Sequence, residues 1–116
     1  MPISQVVVNA SPLIALFNSR QAELLPQLFE DIIIPRGVWE EVTVRTPADL
    51  AAQQLKETSW VQRVETVQIS AKIAAWDLGQ GESEVLSWIV RYPNYTGIVD
   101  DLAARRCADA LAVYVI

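Results

Sequence analysis

The chain contains no histidine among its 116 residues. That absence removes Ser-His-Asp and Cys-His mechanisms, imidazole proton transfer and His-ligated zinc together. There is a single cysteine, Cys107, so no intrachain disulfide and no cysteine-rich metal site can form; this usage fits a reducing cytosol. Long apolar runs are also missing. The stretch from Val6 to Phe17 is broken by Asn9, Ser11 and Pro12, too short and too polar to span a bilayer. The N-terminus carries none of the basic residues of a secretory leader, so the expected location is cytoplasmic. Positive charge is scarce as well: 9 Lys and Arg against 14 Asp and Glu give a net charge of −5. Such a chain is poorly suited to coat nucleic acid or anionic membrane by bulk charge. Any nucleic-acid chemistry must come from a local site carrying metal.

What is present is enough apolar sequence for one core. The hydrophobic fraction is 52% and the charged fraction 20%, which excludes general disorder. The length suits one domain, taken as 1–116, without linker or repeat. Val6-Val7-Val8 and Ile32-Ile33-Ile34 are β-branched runs without alternation, the mark of strands buried on both faces of a parallel sheet. Thr96–Val99 reads as a third strand and Ala112–Ile116 as a last one. Trp60–Ile69 alternates and reads as an extended or edge segment. Helices are expected from Ser11, with Ser11 as N-cap and Pro12 at the first helical position. Others are expected over Glu23–Phe29, from Val38 to Val42, over Ala48–Thr58, Glu82–Arg91 and Leu102–Leu111. Strands alternating with helices give a three-layer α/β/α fold around a mainly parallel sheet.

In such sheets, sites form beyond the carboxyl ends of the strands. The chemistry-bearing residues there are Asn9 and Ser11, then Glu41, then Asp100 and Asp101. At about 100° per residue, Glu82 falls on the apolar stripe of its helix with Val85, Leu86 and Ile89. Glu84 falls on the opposite side with Ser87 and Arg91. A carboxylate on a buried stripe needs a partner, either a metal ion or a cation. Several acids without histidine form the ligand set of Mg²⁺ or Mn²⁺, ions that can drive phosphodiester hydrolysis. Each residue also has a plainer role open to it. Asp100 and Asp101 can cap the last helix. Glu82 and Glu84 can be first-turn helix acids, and Glu41 a surface charge. Asn9 and Ser11 can be turn and cap residues, Arg105 and Arg106 a solvated face, and Cys107 a small buried hydrophobe. The four tryptophans fit core or interface better than base stacking.

Taken in order, Val-Val-Val-Asn9-Ala-Ser11-Pro-Leu-Ile, Ile-Ile-Ile-Pro35 with Glu41-Val42, Gly81-Glu82-Ser-Glu84 and Ile-Val-Asp100-Asp101-Leu-Ala-Ala-Arg-Arg resemble the PIN-domain family. The likeness is greatest to the prokaryotic branch related to the VapC toxins, and within it to short members with Asn at the first acidic position. The resemblance spans nearly the whole chain. It implies a metal-dependent ribonuclease of toxin–antitoxin type, with an acidic pocket for Mg²⁺ or Mn²⁺, RNA as substrate, an antitoxin protein as partner and a homodimeric state. Glu41, Glu82 and Asp100 match the family's acids, and Asn9 stands where the first acid usually is. Ser11 matches a small hydroxyl residue near the metal; Asp101 and Glu84 are further candidates around the cofactor. An amide oxygen can ligate a metal but brings no charge and cannot act as a base. Asn9 therefore leaves a second expectation standing: a catalytically inactive PIN-like binding or regulatory module. The family usually continues with another helix after the segment 112–116, so a sheet left uncovered there would favour dimerisation.

Overall fold

The computed structural model describes residues 3–44, 48–65 and 67–116. Strand β1 (Gln5–Val8) leads to helices α1 (Ala10–Asn18) and α2 (Leu24–Leu28), then to β2 (Asp31–Pro35). Helices α3 (Arg36–Thr43) and α4 (Leu50–Glu57) follow, then β3 (Gln62–Val64), α5 (Ala71–Ala74), α6 (Gln80–Arg91), β4 (Thr96–Ile98) and α7 (Leu102–Ala110). The four strands form one parallel sheet in the order β3-β2-β1-β4. The expected α/β architecture is therefore present.

The β-branched runs explain the centre of the sheet. Val6, Val7 and Val8 are all fully buried, as are Ile32, Ile33 and Ile34 to within 2%. Successive strand residues point to opposite faces, so burial of three in a row means that both faces are covered. Helix α1 packs on α4 and α6 on α7, and α6 lies against β1, β2 and β4. Helix α3 starts directly at the carboxyl end of β2 and touches both α1 and α6. Gly97 in β4 permits α6 to sit close: a methyl group there would stand 2.8 Å from Ile89 Cδ1 and 3.1 Å from Val115 Cγ1.

Two local expectations are corrected, and a third, the edge segment, is borne out over three residues. Ala112–Ile116 is not a full strand but a single parallel bridge, Val115 to Gly97, with Ile116 N donating to Gly97 O at 2.8 Å. Ala112 sits at φ 56°, so the turn after α7 consumes the start of the expected strand. Ser11 is not an N-cap: α1 begins at Ala10 with Asn9 in the cap position. The alternating segment at Trp60–Ile69 contributes only the edge strand β3, where Gln62 and Arg63 are exposed.

Candidate metal site at the carboxyl edge of the sheet

Asn9 follows β1 and is only 3% exposed. Its backbone N–H donates to Ile98 O at 3.0 Å, which ties the end of β1 to the end of β4, two residues before Asp100. An asparagine at a helix N-cap ordinarily turns its amide back onto the helix. Here the Asn9 side chain makes no such bond and has no hydrogen-bond partner among the described residues. Its Oδ1 lies instead against α6: a methyl group at Gly81 would stand 3.7 Å from it and 3.2 Å from Val38 Cγ2. The plain reading of Asn9 as a capping side chain is thereby replaced. A nearly buried amide is left with its polar atoms free at the carboxyl edge.

The helical-stripe expectation for α6 is reversed. Glu84 is the buried acid, 6% exposed, together with Ser83 and Ser87, whereas Glu82 is half-buried. The physical reason is that α6 is covered on two sides. Val85, Leu86 and Ile89 are buried in the core. Glu84 and Ser87 are covered by α3 and by the chain around Ser70, while Gln80 at the start of the helix is exposed. Ser87 Oγ accepts from Ser70 N at 3.0 Å. Glu84 Oε1 accepts from Gly37 N at 2.9 Å, and Oε2 from Gln80 Nε2 at 2.5 Å. Pro35, the N-cap of α3, has no side-chain acceptor to offer. Glu84 reaches across from α6 and supplies one, with its charge placed favourably at the start of α3. Glu84 and Ser87, three residues apart, share one side of the helix; a polar pair at that spacing is the signal for a second buried face.

The other candidates are distributed around this pair. Glu41 is half-buried on α3, one turn beyond Gly37 and on the same face; it has no partner among the described residues. Asp100 is exposed just past β4 and is likewise unpartnered among them. Glu82 Oε2 accepts from Gly79 N at 3.0 Å, closing the start of its own helix in the manner of a capping box. Asp101 Oδ2 accepts from Ala104 N at 2.9 Å, so Asp101 caps α7. Ser11 is exposed in the first turn of α1. Arg105 is not merely solvated: its Nη1 donates to Val99 O at 2.8 Å, beside the exit of β4. Cys107 is fully buried, and desolvation pushes its thiol pKa up, which suits a packing role.

Among the described residues, no three of the Asp, Glu and Cys side chains are grouped closely enough to hold a metal ion by themselves. Mg²⁺ does not require such a cluster, because it keeps several waters and commonly uses one or two carboxylates. The donors present fit a hard cation in kind: the free Asn9 amide oxygen, the Glu84 carboxylate, and Glu41 and Asp100 uncommitted at the rim. A cavity of about 610 Å³ lies elsewhere, between residues 67–71 and the later half of α6 near Trp88 and Arg91. The carboxyl-edge position rests on donor chemistry and topology rather than on cavity size.

A four-stranded parallel sheet in the order β3-β2-β1-β4 with helices packed on it defines an α/β protein of PIN-like fold. The family follows from comparison of the sequence with protein-family models: residues 5–116 match the PIN domain. The chain belongs to the PIN-domain family, whose members are generally nucleases and typically use divalent metals. A search of curated proteins finds no match.

Gly37 offers a test of the site that leaves every acid in place. A methyl group there would stand 3.0 Å from Glu84 Oε2 and 3.2 Å from Gln80 Cγ. Gly37→Ala should push the Glu84 carboxylate off the Gly37 N–H. The better helix propensity of Ala, roughly 1 kcal/mol, offsets that loss in stability. The expected result is weaker Mn²⁺ binding by calorimetry with the melting temperature changed by no more than a few degrees. Unaltered Mn²⁺ affinity would detach Glu84 from metal binding.

Proposed function

We propose that the carboxyl-edge site binds Mg²⁺ or Mn²⁺ and that the protein is a metal-dependent ribonuclease of toxin–antitoxin type. The observation that carries this reading is the Asn9 amide, nearly buried, without a hydrogen-bond partner among the described residues, and set against the helix that bears Glu84. Asn9 and Glu84 would hold the ion with Glu41 and Asp100, and Glu82 would stand at the rim. Ser11 and Asp101 are outer residues, Asp101 acting through the start of α7. When bound, the ion supplies an activated water and stabilises charge developing on the phosphate. The chain's own contribution is placement. Gly37 N–H and Gln80 fix the Glu84 carboxylate, and the bond from Asn9 N to Ile98 O fixes β1 against β4. With no histidine in the chain, proton transfer falls to carboxylates and water. An acid at Asn9 would add charge to the site; the amide makes binding weaker and a second ion unfavourable.

An antitoxin partner, a homodimer and a cytoplasmic location belong to the same proposal. A homodimer is supported by exposed apolar side chains along one edge, Leu102 at 62% and Tyr114 at 73%. No helix among the described residues is long and apolar enough to cross a membrane.

A second reading, a PIN module that binds without cutting, is favoured by one observation: both Glu84 oxygens are already engaged by protein donors. One assay separates the two. A labelled single-stranded RNA is incubated with protein in Mn²⁺, in Mg²⁺ and in EDTA. Cleavage in metal that stops in EDTA is the expected result. Intact RNA in Mn²⁺ at excess protein would leave the binding module in possession.

A further inference from the structure

Beside the carboxyl-edge site, the ends of β2 and β3 carry a second group of side chains that metal binding does not use. Trp39 on α3 packs one side of its indole against the core. Arg63 of β3 stands over the ring, its Cζ 4.8 Å from the centroid. The strand register sets Arg63 opposite Ile34, immediately before Pro35 and Arg36. Arg36 in turn is chain neighbour to Gly37, whose N–H holds Glu84. The two guanidinium groups are balanced only by exposed carboxylates. Arg36 Nε meets Glu40 at 2.8 Å, with side chains 58% and 50% exposed. Arg63 Nε meets Glu65 at 2.9 Å, with side chains 37% and 63% exposed. The Glu40 bond and charge, followed by the charges alone of Glu65 and Glu84, raise the Arg36 pKa, so the neighbouring carboxylates and Arg36 share one field.

Three physical properties of this group point the same way. A guanidinium plane backed by an indole is a stacking surface that accepts any base. Exposed ion pairs contribute little in water, so a phosphate oxygen can take the place of Glu40 or Glu65. Arg presents a planar fork that matches phosphate geometry. In a chain of net charge −5, bulk attraction cannot hold a polynucleotide, so docking must come from such local contacts.

We infer that Trp39, Arg63 and Arg36 form a docking subsite for single-stranded nucleic acid next to the metal site, with a base stacked on the Arg63 plane and the adjoining phosphate on Arg36. The inference deepens the ribonuclease reading by naming how the strand is held and on which side of the site it lies, the β2–β3 side. Under that reading the strand is RNA, and stacking that accepts every base makes recognition sequence-tolerant at this position.

The test is fluorescence anisotropy with a 5′-fluorescein single-stranded RNA of about ten nucleotides, in EDTA so that nothing is cut. Wild type is compared with Arg63→Ala, Arg63→Lys, Arg36→Ala and, as control, Lys56→Ala. Both arginines are solvent-exposed, and circular dichroism confirms that the variants fold. The expected result is at least fivefold weaker binding for Arg63→Ala. Arg63→Lys, which keeps the charge but loses the plane, should be weakened nearly as much. Arg36→Ala should bind less tightly and lower the slope of log affinity against log salt by about one. Lys56→Ala, which removes an exposed cation on α4 away from both sites, should bind RNA as wild type does. Wild-type binding that survives both arginine substitutions overturns the inference, as does absence of RNA binding by wild type. Failure of the nuclease reading has a different signature: the arginine variants lose RNA while wild type takes up no Mn²⁺.

Discussion

Glu84→Gln is expected to abolish metal-dependent RNA cleavage and to cost the fold about 1–2 kcal/mol. The size of the stability effect follows from what the carboxylate does at α3. It accepts the Gly37 N–H and the Gln80 amide, both as charge-assisted bonds of the stronger kind, and places a negative charge near a helix N-terminus. A glutamine in the same position can still accept from Gly37 through its oxygen, but its own NH₂ then faces the Gln80 NH₂, donor against donor. The functional effect is larger, because a neutral amide replaces the one buried carboxylate among the described residues. Thermal denaturation and the cleavage assay on one sample check both. A variant that keeps wild-type cleavage would show that the buried acid serves α3 alone. Glu82→Gln is the matched control: its carboxylate meets the Gly79 N–H at the start of its own helix, so cleavage should fall far less.

Asn9→Asp is expected to strengthen Mn²⁺ binding by tenfold or more while destabilising the metal-free protein by about 1–3 kcal/mol. The position is 3% exposed, and burial of an unpaired charge is costly. Metal relieves that cost, since a ligand bound only by the folded state stabilises it in proportion to the logarithm of its concentration over Kd. The melting temperature of Asn9→Asp should therefore lie below wild type in EDTA and rise more steeply than wild type on adding Mn²⁺. If Mn²⁺ affinity is the same in both proteins, the Asn9 side chain is no ligand, and the free amide at the end of β1 has another purpose.

The scaffold was legible because its central strands are written in unbroken β-branched residues, and because Asn9, Pro35 and Asp101 punctuate strand ends and helix starts. Short elements were not. Helix α5 spans four residues with one buried side chain, Ile73, too little for any periodicity. Edge strand β3 alternates only weakly, since its exposed face is half its length. The candidate site was legible as a set of residues but not as an arrangement. A single apolar stripe cannot reveal that a helix is covered twice, so Glu82 and Glu84 exchanged places. Nor can a sequence show that an asparagine at a cap position will decline to cap. That depends on Gly81 coming close across the sheet, a contact between residues 72 apart in the chain. The pairing of Arg63 with Trp39 is of the same long-range kind, created by the register of β3 on β2.

The most direct measurement is calorimetric titration of Mn²⁺ into the wild-type protein and into Glu84→Gln. The account predicts one saturable site in the wild type, weakened by the neutral Asn9, and no saturable heat in the variant. Equal titrations in the two proteins, or no binding to the wild type, would contradict the placement of a metal at the carboxyl edge of this sheet.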